Sequence, residues 1–164
     1  MKTLYFIGGT MGVGKTTVCQ QLKRDLYHSV FLDGDWCWDA SPFQVTDETK
    51  AMVVCNICYV LNQFIHCSAY ENVIFCWVMH EQSIIDGILS KLDTKNCMVK
   101  KISLIVDETN LRNRIMEDVA RQIRTVDDVD RSMARIPMYQ ALDTIKIDTR
   151  NKTVREIVDE ILAL

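Results

Sequence analysis

Between residues 4 and 22 the chain reads LYFIGGTMGVGKTTVCQQL, and within it Gly9, Gly14, Lys15 and Thr16 fall at the spacing G-x-x-x-x-G-K-T. An apolar, β-prone run precedes the glycines, and a helix-like run follows them. This order constrains the fold more than any other feature, because a strand, a glycine loop and a helix in succession aim backbone N–H groups and a helix N-terminus at phosphate. Gly9, Thr10, Met11, Gly12, Val13 and Gly14 are expected to wrap the phosphates of a nucleotide triphosphate. Lys15 is expected to reach the outer phosphates and the Thr16 hydroxyl to hold Mg²⁺, with Thr17 beside it.

The rest of the chain repeats the alternation that the loop begins. Five runs rich in β-branched or aromatic residues stand at 3 to 7, 29 to 32, 72 to 79, 101 to 106 and 144 to 148. Each is nearly continuous in apolar residues, as strands buried on both faces of a parallel sheet are. Helix-like segments lie at 15 to 27, 46 to 68, 81 to 93, 109 to 120, 127 to 142 and 153 to 164. Strand and helix in turn predict an α/β fold, a three-layer, doubly wound, five-stranded parallel sheet of the P-loop NTPase type. With 164 residues, 48% of them apolar, and no linker or repeat, one domain over residues 1–164 is expected. Thr153 and Glu156 have the spacing of a capping box for the last helix.

Charge narrows the partners. A formal net charge of -3, with lysine and arginine spread along the chain, lacks the basic patch of a nucleic-acid surface. No segment approaches the roughly 20 apolar residues of a membrane-spanning helix, and the N-terminus carries no secretory signal pattern. Seven cysteines, an odd number, suit reduced thiols packed as small apolar residues, and a cytoplasmic location is expected. Cys55 and Cys58 are expected to share the buried face of one helix rather than to bind zinc. The expected partner is a small molecule, and the protein a monomer or homodimer.

Directly after the second strand, FLDGDWCWD places Asp33 and Asp35 two apart at the carboxyl end of the sheet, where ligands bind in open α/β folds. Asp33 suits the water shell of Mg²⁺, and Asp35 suits the orientation and deprotonation of a substrate hydroxyl; as turn formers around Gly34 both would need no such role. Trp36 and Trp38 follow at once and either wall an acceptor pocket or pack. The third strand ends in WVMHEQ, which brings Trp77, His80 and Glu81 to the same edge. Trp77 and His80 are substrate-site candidates.

From Asp107 to Gln140 the chain carries six arginines, at 112, 114, 121, 124, 131 and 135. Phosphoryl transfer needs positive charge that closes over the phosphates, so a short lid around 112–126 is expected here. With the phosphate loop, FLDGD and MARIPMYQALDTIKIDTRNKT, the chain resembles the shikimate kinase branch of the P-loop small-molecule kinases, within the nucleoside monophosphate kinase-like fold. That resemblance implies ATP as donor, Arg121 as the lid arginine on the phosphates, Arg135 on the acceptor, Arg114 against the adenine and Arg150 on the other side of the base. WVMHEQ and SPFQVTDE replace that family's triple-glycine and Gly-Glu-x-x-Phe-Arg motifs, so shikimate loses its expected holders. Gluconate and adenylylsulfate kinases are also similar around LDGD.

The leading expectation is an ATP- and Mg²⁺-dependent phosphotransferase acting on the hydroxyl of a small polar metabolite or antibiotic-like compound. A nucleoside monophosphate kinase and a nucleotide-dependent regulatory ATPase are the alternatives that the sequence leaves open.

Overall fold

The computed structural model describes residues 1–164. Five strands form one parallel sheet: β1 (Lys2–Gly9), β2 (Ser29–Asp33), β3 (Asn72–Trp77), β4 (Cys97–Ile105) and β5 (Ile145–Asp148), in the spatial order β2-β3-β1-β4-β5. The helices are α1 (Lys15–Asp25), α2 (Asp47–His66), α3 (Gln82–Leu89), α4 (Glu108–Ala120), α5 (Asp127–Gln140) and α6 (Val154–Leu162), and a 3-10 turn spans Gly34–Cys37. The expected three-layer, doubly wound architecture is the observed one.

The central strand explains the two cores. In β1, Leu4 and Phe6 face one side and Tyr5 and Ile7 the other, and all four are buried. Tyr5 and Ile7 join Val18 and Leu22 of α1, Leu111 and Ile115 of α4, and Ile157 and Ile161 of α6. Leu4 and Phe6 join Ile57 and Leu61 of α2, Ile85 and Ile88 of α3, and Tyr139 of α5. Helices therefore cover both sheet faces, which is what near-continuous apolar strands require.

Element boundaries differ from the sequence expectation for local reasons. β3 ends at Trp77, not at 79: its pairing with β2 ends at Cys76, opposite Asp33, and its pairing with β1 ends at Trp77, opposite Gly8. Met79 is nevertheless fully buried. β4 begins at Cys97, four residues early, and this start, ahead of Lys100 and Lys101, is held by pairing with β1 from Lys2 onward. Cys58 is buried but Cys55 is exposed, so the two thiols do not share a buried face. Thr153 and Glu156 do cap α6 reciprocally, with Thr153 N–H donating to Glu156 Oε2 at 2.7 Å.

Candidate active site

The C-terminal end of β1 runs into the glycine loop, and α1 starts at Lys15. Gly12 and Gly14 adopt φ of 84° and 100°, a left-handed region that other residues enter at a cost. Gly12 is doubly constrained, since a Cβ there would lie 2.6 Å from Ile115 Cγ1 of α4. Gly14 has no neighbour within 4 Å of a Cβ, so its backbone conformation alone calls for glycine. The Lys15 ammonium donates to the carbonyls of Gly9 at 2.8 Å and Thr10 at 3.0 Å. Desolvation pulls it below the ordinary lysine range, and the Asp35 and Asp33 carboxylates oppose that pull.

A chain of hydrogen bonds links this loop to β2. Thr16 Oγ1 donates to Asp33 Oδ2 at 2.6 Å, and Asp35 N–H donates to Asp33 Oδ1 at 3.1 Å. Asp33 is 5% exposed, so both of its oxygens are spoken for in a low-solvent position. Asp35 opens to the cleft and accepts from Trp77 Nε1 at 3.1 Å. Partial desolvation and then the neighbouring Asp33 raise the Asp35 pKa above its ordinary range; Lys15, the Trp77 hydrogen bond and Arg124 work against them. Gly34, between the two aspartates, is where the indole passes: a Cβ there would sit 2.6 Å from Trp77 ring atoms.

Lys15, Thr16, Asp33 and Asp35 line a cavity of about 310 Å³ with Met11, Gly12, Gly14 and Thr17 of the loop, Val78, and Asp118 and Arg124. Arg124 Nε donates to Asp118 Oδ2 at 2.8 Å. Arg121, expected over the phosphates, does not line this cavity and is exposed. The reason is the end of α4. Gln122 takes φ 59°, its N–H donates to the Val119 carbonyl and the Ile123 N–H to the Asp118 carbonyl, a Schellman turn that brings Arg124 back to Asp118. Nor is the expected lid uniform: Leu111 and Ile115 are fully buried, so α4 is anchored over the loop at its start.

The remaining candidates divide. Arg114 donates to the Val13 carbonyl at 3.2 Å and the Thr149 carbonyl at 3.3 Å, bridging the phosphate loop and the turn after β5. Arg150 is paired with Asp148 at 2.5 Å and borders a separate cleft with Asp107 and Gln140. Trp36 is 57% exposed, packs edge-on against Phe31 with centroids 5.1 Å apart, and does not line the phosphate cavity. His80 lies near Arg135: its Nδ1 is buried with no hydrogen-bond partner, and desolvation and then Arg135 lower its pKa. Arg135 itself has no carboxylate within ion-pair distance. Sequence reasoning missed Asp118 and Arg124 as cavity residues; only their contact across the turn distinguishes them from surface charges.

A five-stranded parallel sheet in this order, with a glycine loop, a lysine and paired aspartates at the carboxyl edge, defines a P-loop nucleotide-binding protein of nucleoside monophosphate kinase-like architecture. The chain belongs to the family described as AAA domain, whose model matches residues 6–133. A cytidylate kinase model also matches residues 104–164. A shikimate kinase from Bacillus cytotoxicus is 27% identical, over 99% of this chain and 97% of its own. Among solved structures, the tunicamycin resistance protein of Deinococcus radiodurans superposes with a TM-score of 0.76 at 19% identity, over 99% of this chain and 95% of that one. A gluconokinase from Sinorhizobium meliloti superposes with a TM-score of 0.72 at 17% identity, over 98% of this chain and 90% of that one. The fold is thus that of the P-loop kinases, as the sequence resemblance implied.

Proposed function

We propose that the protein is a small-molecule kinase that transfers the γ-phosphoryl group of ATP to a hydroxyl. The observation that carries this reading is the Thr16–Asp33–Asp35 chain, which leaves one carboxylate held against the phosphate loop and another open to the cleft. The acceptor oxygen attacks the γ-phosphorus, the bond from that phosphorus to the β–γ bridging oxygen breaks, and ADP departs. Asp35 accepts the hydroxyl proton. Lys15 and Arg124 face the transferring group and offset its charge.

Thr16 Oγ1 and Asp33 Oδ2 are hard oxygen donors of the sort Mg²⁺ takes when phosphate and water complete its shell, so they would hold the ion. There it would neutralise phosphate charge. The relatives named for shikimate and gluconate phosphorylation support the reaction class, and the lost shikimate-holding motifs argue against shikimate as this chain's acceptor. Residues 118–126 are the part of the lid region that would close, with Arg124 in the place first expected for Arg121.

The cytidylate kinase match favours a nucleoside monophosphate acceptor, but it covers α4 to α6, the lid and base side, and not the acceptor side. Asp33 is held by Thr16 and Asp118 by Arg124, which leaves Asp35 as the cavity's open carboxylate, and a carboxylate suits a hydroxyl, whose proton it can take, better than a phosphate. All seven cysteines are free thiols, in keeping with the reducing cytoplasm. The test is a screen of hydroxylated compounds and nucleoside monophosphates with ATP, read by product mass. A phosphorylated alcohol supports the proposal, and turnover confined to monophosphates overturns it.

A further inference from the structure

A second cavity, about 320 Å³ in volume, lies between α2 and α3 and is walled by Trp38, Val53, Val54, Trp77, Ile84 and Ile88. Its volume falls in the range of small-molecule sites. Lys50 and Lys91 stand at its rim, and no carboxylate lines it. Both tryptophans are tied to the proposed base. Trp77 donates its indole N–H to the Asp35 carboxylate, and Trp38 donates its backbone N–H to the Asp35 carbonyl at 3.2 Å. Asp35 lines the phosphate cavity and Trp77 the apolar one, so the hydrogen bond between them links the two cavities.

Gly87 adds an independent observation. It lies inside α3, where glycine is a poorer helix former than alanine. Its backbone is not in the left-handed region, and a Cβ there would meet nothing within 4 Å. Neither backbone geometry nor close packing calls for glycine here. A side chain at Gly87 would enter open space beside the cavity that this residue lines.

We infer that the phosphate acceptor is an alcohol with an apolar, aromatic-sized body, which lies in the α2–α3 cavity while its hydroxyl reaches Asp35 past Trp77. This deepens the kinase reading and rests on it. The two indoles and four aliphatic side chains suit a ring, which stacks on them, better than a polyol, whose hydroxyls would find partners only at Ser83, Ser90, Lys50 and Lys91. The balance is that of the proposed reaction: the alcohol oxygen gains the γ-phosphoryl group, its proton passes to Asp35, and ADP leaves.

The probes are cinnamyl alcohol and phenylethylene glycol, against gluconate as the polyol. Transfer from γ-labelled ATP and quenching of tryptophan fluorescence are both measured, on wild type, Gly87→Leu and the smaller substitution Gly87→Ala. The wild type should use the aryl alcohols at least about tenfold better than gluconate. Gly87→Leu, which favours the helix, should raise the aryl-alcohol KM by roughly tenfold or more and leave the KM for ATP and the melting temperature no worse. Gly87→Ala, with a smaller side chain, should raise the aryl-alcohol KM less than Gly87→Leu does. Preferred use of gluconate, or an aryl-alcohol KM that Gly87→Leu does not change, overturns the inference and leaves the kinase reading standing. Quenching by the aryl alcohols that Gly87→Leu abolishes, without transfer to any alcohol, overturns the kinase reading and with it the acceptor role. Absence of both quenching and transfer with the aryl alcohols overturns the inference outright.

Discussion

Thr16 Oγ1 donates to Asp33 Oδ2 at 2.6 Å, so the first turn of α1 and the end of β2 are joined at the position where a metal-bound triphosphate would sit. Asp33→Asn keeps the shape but removes the charge that would hold the ion's water shell. The Mg²⁺ concentration for half-maximal turnover should rise by about tenfold to a hundredfold, the range for losing a supporting metal partner. A titration of Mg²⁺ at saturating ATP checks this; an unchanged requirement would assign Asp33 to the turn alone.

Arg124 rather than Arg121 should be the arginine of the transition state. Arg124→Ala is expected to lower kcat by about a hundredfold or more, with a small change in the KM for ATP, because such a contact acts chiefly on developing charge. Arg121→Ala should stay near wild type, since Arg121 is exposed and outside the cavity. Steady-state kinetics on the two variants, side by side, decides between them.

Gly34 should tolerate no side chain. The Cβ of Gly34→Ala would fall 2.6 Å from the Trp77 ring, so the indole must move and its bond to Asp35 is lost. Overpacking of this kind costs about 1–3 kcal/mol. Denaturant unfolding should show the loss, and turnover should fall with it.

Asp35 ties stability to pH. Its folded-state pKa is raised, so its contribution to stability is full below the ordinary aspartate pKa and is lost as pH rises through the folded value. At neutral pH the ionised Asp35 beside Asp33 opposes folding. Asp35→Asn should therefore melt at a higher temperature than wild type at neutral pH, and the gap should close as pH falls below the aspartate range. Because a base must be ionised, the acid limb of the wild-type kcat/KM profile should lie above the ordinary aspartate range.

The sheet and the loop were legible because their signals are local: strand runs such as NVIFCW and the glycine spacing survive in any window that contains them. The start of β4 was not, since Lys100 and Lys101 interrupt its apolar pattern and only pairing with β1 defines it. That Lys15, Thr16, Asp33 and Asp35 meet at one cavity could be read from motif and strand end. That Arg124 lines the cavity and Arg121 does not could not be read. It turns on a Schellman end with Gln122, not glycine, in the left-handed position, and no residue type announced it. Gly34 likewise read as a turn residue, and its close approach to Trp77, 43 positions on by the numbering, is a fact of tertiary packing.

The most direct measurement is phosphoryl transfer by Asp35→Asn to whichever alcohol the wild type phosphorylates, with ATP affinity measured on the same sample. With Asp35 as base to the acceptor hydroxyl, transfer should fall by about two to four orders of magnitude while the affinity for ATP changes little. Transfer at the wild-type rate by folded Asp35→Asn would contradict the account.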